Sequence, residues 1–476
     1  MSSLIEKLLR DARVNLILNK INDNPEIVND VIQFLDSESR SVKFNAIYVL
    51  GNVARQAKEA IPKLKECLDH EDWSICRETV RTFGEIGPAA EKIIPHLTER
   101  LYDNNLEIRK VVAEALGKIG SAKYDSIANL IKSLEDESEK VREAAAISLG
   151  KIGSEAYAAL PALMRLLKDP YWEVRTAAAE SISNIGKGTN KAIPDLINAL
   201  EDEDWRVRHK VMDTLAELGE KTVFPLLNAL ESKKTRVRKT AAETLGDLGT
   251  ESPEALRKLA EQLEDKKEVV RGKAAYALRS IGKPAISFLL EKLKKSKTKN
   301  KIIILSALGG IGRDAEDAVE SVIYYTESLA NVESKDKIEN KISRFIKVLI
   351  LYLHDALTGK KELRVEAVRT LGKIGQKSEK AVFALENSLK DPRFEVRREA
   401  ALALGKIKVN KQLVIELLLN ALEDNKPEVR WRASESLGKI GIKDPKIISG
   451  LKKLIHDKCD YVCETAINSI DLIESN

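Results

Sequence analysis

Few residues in this chain are equipped for chemistry. Its 476 residues include five histidines and four cysteines. Two segments bring them together: Cys67, His70 and Cys76, and then His456, Cys459 and Cys463. Three soft ligands at such spacing resemble part of a zinc site, but a structural zinc takes four. Neither segment offers a fourth, so thiols packed in a helical core or along a turn are expected instead, and no metal. No Ser/His/Asp or Cys/His constellation emerges. No GxxxxGK[ST] or GxGxxG stands at a strand–helix junction, so no phosphate-cradling loop is expected. These absences point away from catalysis, cofactors and small-molecule ligands, and toward binding by surface.

Charge and composition agree. Lys and Arg total 79 against 74 Asp and Glu, a net charge of +5, so the sum demands no acidic partner and distribution matters more. The chain is 32% charged and 5% aromatic, yet 43% hydrophobic, which reads as helical and folded. The first residues, MSSLIEKLLRDARVN, mix charge with apolar side chains, unlike a secretory signal. The longest apolar segment, 345–357, contains Lys347, His354 and Asp355, too short and polar to cross a bilayer. A cytoplasmic protein with reduced thiols and no membrane contact is expected.

The elements that must position any binding residue repeat along the chain. The segment VREAAAISLGKIG begins at Val141, and similar segments begin at Val42, Ile75, Ile108, Val174, Val207, Val237, Val270, Val396, Val429 and Val462. Weaker copies begin at Asn300 and Leu363. Most spacings are 33 residues; two are 30 (207 to 237, and 270 to 300), and one is 63. With the leading residue as column 0, apolar or small residues fill columns 0, 4, 5, 8 and 11, the stripe of an amphipathic helix. A second apolar helix precedes each copy, as in AIPDLINALEDEDW at 192–205. Each unit is therefore helix A, a turn and helix B. An Asp five residues before column 0 stands where it can accept hydrogen bonds from free backbone N–H groups.

Glycine falls at column 9 in nine copies and at column 12 in ten, which uses nineteen of the 24 glycines. Column 9 suits close packing of helix B, and column 12 suits a left-handed helix end. A single pair cannot bury its stripe, so the units must stack. The reading is an all-α solenoid, a right-handed superhelix of about 14 units. Residues 1–24 form an N-terminal capping helix, 25–312 hold repeats 1–9, and 313–362 hold an irregular, degenerate repeat. Residues 363–476 hold repeats 11–14 with a C-terminal cap.

The string V-R-x-x-A-A-x-A-L-G-x-I-G at this period resembles HEAT repeats, of the subclass named for phycobilisome lyases. The resemblance implies helix B on the concave side. It also implies that Arg at column 1 and the turn Asp form a ladder between repeats. Arg109, Arg142, Arg175, Arg208, Arg238, Arg271, Arg364, Arg397 and Arg430 fit it, while Cys76 and Cys463 replace the Arg near the two ends. Two catalytic relatives carry the same repeat. Deoxyhypusine hydroxylase holds two irons on several His-Glu pairs of helix B; here column 2 has only His209, followed by Lys210, and the one His-Glu pair (His70, Glu71) lies in a turn. A bilin lyase, or a chaperone subunit like one, offers no sharp motif to test.

Columns 2, 6 and 10 line the exposed face of helix B. Early copies show Phe44, Tyr48, Arg77 and Arg81; middle copies show Glu180, Asp213, Glu217, Glu243 and Asp247. Late copies show Arg369, Lys373, Arg398, Lys406, Trp431 and Lys439, with Arg432 beside them. Trp with Arg is typical of binding hot spots. The A-to-B turns also change character, from acidic with Trp (Glu71 to Trp73, Glu203 to Trp205) to basic. Lys233, Lys234, Lys266, Lys267, Lys294, Lys295, Lys297 and Lys299 would form a ridge that attracts anions. The segment 313–362 adds Tyr324, Tyr325, Phe345 and Tyr352. The expected function is a non-enzymatic scaffold or adaptor with a protein partner on the concave face. A nucleic acid on the lysine ridge is the alternative partner.

Overall fold

The computed structural model describes residues 2–123, 125–186, 191–327 and 360–475. Every regular element among them is helical. Two compact units divide the chain, Met1–Ala229 and Leu230–Asn476. Among the described residues, no helix is long and apolar enough to cross a membrane.

The first unit opens with two helices, α1 (Ser2–Arg10) and α2 (Val14–Asp23), which bury Ile5, Leu8, Leu9, Ile17 and Ile21. This corrects the expectation of a single helix over 1–24: Ala12 takes φ +52 and reverses the chain between them. Six B helices follow: α3 (Arg40–Val53), α4 (Trp73–Ile86), α5 (Leu106–Ile119), α6 (Glu139–Ile152), α7 (Trp172–Ile185) and α8 (Trp205–Leu218). The second unit carries α9 (Thr235–Asp247), α10 (Glu268–Ile281), α11 (Thr298–Ile311), α12 (Lys360–Ile374), α13 (Phe394–Leu404), α14 (Pro427–Ile440) and α15 (Asp460–Glu474). Shorter A helices stand before them, many with Pro in the first turn, where its missing N–H costs nothing.

The apolar columns form the core. In α6, Val141, Ala145, Ala146 and Leu149 are fully buried. Consecutive B helices pack on one another much more closely than consecutive A helices do, so the B helices make the inner layer of each unit. Column 9 explains how. A Cβ on Gly246 would stand 2.6 Å from the Cα of Ala277, and one on Gly150 would stand 2.7 Å from Ser181 Oγ. The facing residue, at column 7, is small, and where it carries a hydroxyl that group commonly donates to the preceding B helix. Ser181 Oγ donates to the Ala146 carbonyl (2.7 Å), Ser436 to Ala401 (3.0 Å) and Ser469 to Ser434 (3.0 Å). At column 12, Gly153 at φ +78 turns the end of α6 as expected, whereas Gly186, at φ −88, does not take the left-handed region.

The 63-residue gap does not separate the two B helices that flank it. Helices α11 and α12 are direct neighbours: Thr370 Oγ1 donates to the Leu305 carbonyl at 2.9 Å, and Gly309 faces Thr370. The helix Val319–Glu327 packs against α12 as its A helix. The degenerate repeat expected over 313–362 is thus not interposed between B helices, and the extra length falls between an A helix and its B helix. Phe345 and Tyr352 lie outside the described residues, as does the side chain of Tyr325.

Candidate functional site

Side chains on this scaffold are held by the turn between helices A and B. The turn Asp accepts the backbone N–H two residues on, as Asp202 does from Asp204 (2.8 Å) and Asp424 from Lys426 (2.8 Å). The same carboxylate receives the fork of the column-1 Arg from the repeat before. Arg109 reaches Asp136 (2.8 and 3.0 Å), Arg142 reaches Asp169 (2.8 and 3.0 Å), and Arg175 reaches Asp202 (2.6 and 2.9 Å). The second unit repeats this with Arg238–Asp265, Arg364–Asp391, Arg397–Asp424 and Arg430–Asp457. Each Nη1 that completes the pattern donates back to its own turn, for instance Arg142 to the Asp136 carbonyl at 2.8 Å. These arginines are spent on structure.

Irregularities in the ladder follow the sequence. At the 270-to-300 spacing the Asp position holds Lys295. Arg271 still donates to the Asp265 carbonyl (2.8 Å), but its Nε is buried with no hydrogen-bond partner. At the N-terminal end Cys76 has no guanidinium to offer, and Arg100 from the outer layer takes over. It pairs with both turn carboxylates, Asp69 and Asp103. At the other end Cys463 Sγ donates to the Asp457 carbonyl at 3.1 Å, standing in for Nη1.

The cysteine segments resolve into packing and turn contacts. Cys67 and Cys76 are buried, and burial pushes both thiols up, away from thiolate. His70 Nδ1 accepts the Asp72 N–H at 3.0 Å. Among the described residues, no group of three or more His, Cys, Asp and Glu side chains is placed to hold a metal ion.

The late basic positions are not uniform in charge. Arg369 is paired with two nearly buried carboxylates, Glu366 (2.6 Å) and Glu399 (3.3 Å). Arg398 pairs with Glu399 at 3.1 Å. Arg432 and Lys439 both pair with Glu435 (2.5 and 2.6 Å). Burial works against the Glu435 charge, but Lys439 and Arg432 hold its carboxyl below the usual range. Lys373 and Lys406 have no ion-pair partner among the described residues, and partial burial, then Lys373 beside it, pushes the Lys406 ammonium down. Trp431 is half-buried and fixed between two neighbours. Tyr461 meets it edge-on (centroids 5.9 Å apart), and the Arg432 guanidinium lies over its ring at 3.8 Å.

Other predicted positions are placed as follows. Arg77 lies over the Trp73 ring and Arg81 over the Tyr48 ring, both at 5.4 Å, and Phe44 is half-buried. Arg81 also pairs with Glu78 at 2.5 Å. In the first unit Glu180 and Asp213 stay exposed, and Glu217 accepts a hydrogen bond from Ser183. Glu143, missed in the sequence, joins them; burial, then Glu173, pushes its carboxyl up. In the second unit Glu243 pairs with Lys273, so it is less available than the pattern implied. All eight ridge lysines are exposed. Lys295 pairs with Glu291 (2.7 Å), Lys299 with Glu268 (3.7 Å), and Lys234 is engaged as well, which leaves Lys233, Lys266, Lys267, Lys294 and Lys297 without an ion pair among the described residues.

A model of HEAT repeats matches eight overlapping stretches, which together run over 10–279 and 346–471. The chain belongs to the HEAT-repeat family. That match is to HEAT repeats in general; the phycobilisome-lyase-like subclass has no support beyond the string that suggested it. No curated protein matches the chain. Among solved structures, Kap121p covers 99% of this HEAT array at 14% identity, with a TM-score of 0.57. Kap121p bound to Ste12p gives 99%, 16% and 0.57. The chain spans 57% and 55% of those two proteins' lengths. An engineered protein shares 19% identity over 94% of this chain and 99% of its own, with a TM-score of 0.31.

One departure from the HEAT pattern escaped the sequence reading. Column 12, Gly in ten copies, is Lys408 in the repeat of α13. Helix α13 ends at Leu404, after 11 residues, where most B helices run for 14. The chain then turns through Gly405 and Lys406, and the Lys408 N–H donates to the Gln376 carbonyl of the preceding repeat at 2.7 Å. A cleft of about 300 Å³ opens there, lined by Gln376, Gly405, Lys406, Ile407, Lys408, Lys411, Val414 and Ile440. The missing column-12 glycine was the available signal.

Proposed function

We propose that this HEAT solenoid is a non-enzymatic scaffold or adaptor of the cytoplasm that takes a protein partner on the inner face of its second unit. The observation that carries the reading is the Trp431 cluster. An aromatic already clamped by Tyr461 and Arg432 loses little side-chain entropy on binding. Large rigid aromatics beside Arg dominate protein interfaces, while lysines at the rim mainly steer the encounter. Lys373 and Lys406, unpaired in the two preceding repeats, favour an acidic segment in the partner. Kap121p bound to Ste12p supports the reading only in that a solenoid of this fold accommodates another protein.

The second reading is nucleic-acid binding on the turn ridge. Five exposed, unpaired lysines favour it, and the lack of aromatics between them points to backbone contact without sequence readout. No residue favours a lyase-like or chaperone activity over these two.

Affinity capture from cell extract separates them. The first reading expects one defined protein to survive nuclease and moderate salt, and to be lost with Trp431→Ala. Material that vanishes with nuclease, and with Lys294→Glu plus Lys297→Glu, would replace it with the second.

A further inference from the structure

At the shortened end of α13 a repeat-wide rule is broken and a cavity results. Its polar lining is Gln376, Lys406, Lys408 and Lys411, and its apolar lining is Ile407, Val414 and Ile440. No carboxylate lines it. None of the three lysines has an ion-pair partner among the described residues, whereas most other inner-face cations of this region are paired with Glu366, Glu399 or Glu435. Partial burial, then Lys373, with Lys439 and Arg369 adding to it, pushes the Lys406 ammonium down against the opposing pull of Glu399. The following helix, Lys411–Ala421, starts at this cleft, and Asn410 at φ +48 makes no side-chain cap. Its first N–H groups add positive potential to that of the lysines.

We propose that this cleft binds a phosphate-bearing ligand carrying at least two negative charges. Three lysines lining one small cleft exceed what a single carboxylate neutralises. Lysine acts as a point charge on phosphate, without the planar fork that Arg presents to a carboxylate. A volume of about 300 Å³ sits at the small end of ligand pockets and suits one or two phosphates with a compact body. The apolar wall supports that body. The proposal shares Lys406 with the protein-partner reading, whereas Lys408 and Lys411 belong to the B-to-A connection and not to the exposed columns of helix B.

Calorimetric titration of the full chain with inorganic pyrophosphate at low salt tests this. Lys406→Gln, Lys408→Gln and Lys452→Gln are compared, with circular dichroism confirming that each is folded. Removing an exposed, unpaired lysine leaves packing intact. Pyrophosphate is expected to bind, to weaken about tenfold in each of the first two variants, and to be unchanged in Lys452→Gln. A phosphoserine peptide against its unphosphorylated form distinguishes the source. Binding of the phosphorylated form alone assigns the cleft to a modified side chain; binding of pyrophosphate without the peptide assigns it to a free phosphate compound. No pyrophosphate binding, or equal weakening in Lys452→Gln, overturns the site. Trp431→Ala is expected to leave pyrophosphate binding unchanged, so the two proposals fail separately.

Discussion

The carboxylate of Asp202 receives the guanidinium of Arg175, one repeat earlier, at 2.6 and 2.9 Å, and both side chains are only 8% exposed. The same Asp202 holds the Asp204 N–H, so one carboxylate joins two repeats and starts the next B helix. Removing the Arg leaves a nearly buried carboxylate uncompensated. Arg175→Met is expected to cost about 3 kcal/mol. Arg271→Met is expected to cost much less, because Arg271 has no turn Asp to lose. Urea midpoints at constant slope check the pair; equal losses would contradict the ladder's role.

Close packing of B helices depends on column 9. Gly246→Ala would put a methyl 2.6 Å from the Cα of Ala277 and 2.7 Å from its Cβ. Backbone must shift, which costs about 1–3 kcal/mol. Adding Ala277→Gly gives back the space at Cβ, so the double variant should recover part of the loss. A double-mutant cycle measures that coupling, and strict additivity would show that the helices are not held this close.

Acid should loosen the ladder. Arg430 holds the Asp457 carboxyl below the usual carboxylate range, with burial opposing. Burial also opposes at Asp265, where Arg238 and the Lys267 N–H win. A carboxyl depressed by folding stabilises at pH values above its unfolded pKa, about 3.9, and loses that contribution as pH falls through the folded value. Stability should therefore drop below about pH 4, and Asp457→Asn should flatten part of that slope. An unchanged slope in denaturation midpoints across pH 3 to 6 would contradict this.

Much of this architecture is legible in the sequence because each repeat restates the same columns. Val141, Ala145 and Leu149 announce their burial by spacing alone, and Gly246 and Gly405 announce a close approach. Partnership across repeats is harder. Arg369 looked like a free cation because Glu366 and Glu399 were not part of the columns being read, and only stacking brings Glu399 beside it. Ala12, which splits the first segment into two helices at φ +52, is a residue type that gives no warning of a left-handed turn. Lys408 was visible, but as an absent glycine, which a search for present motifs passes over.

The inner face of the second unit as a protein-binding surface is the central claim, and site-specific photo-crosslinking in cells tests it most directly. A crosslinking side chain at Lys439, which is 59% exposed and beside the Trp431 cluster, is compared with one at Lys267 on the turn ridge. The account predicts a discrete protein adduct from position 439 that resists nuclease and disappears when Trp431→Ala is added. Adducts from position 267 alone, or adducts removed by nuclease, would contradict it.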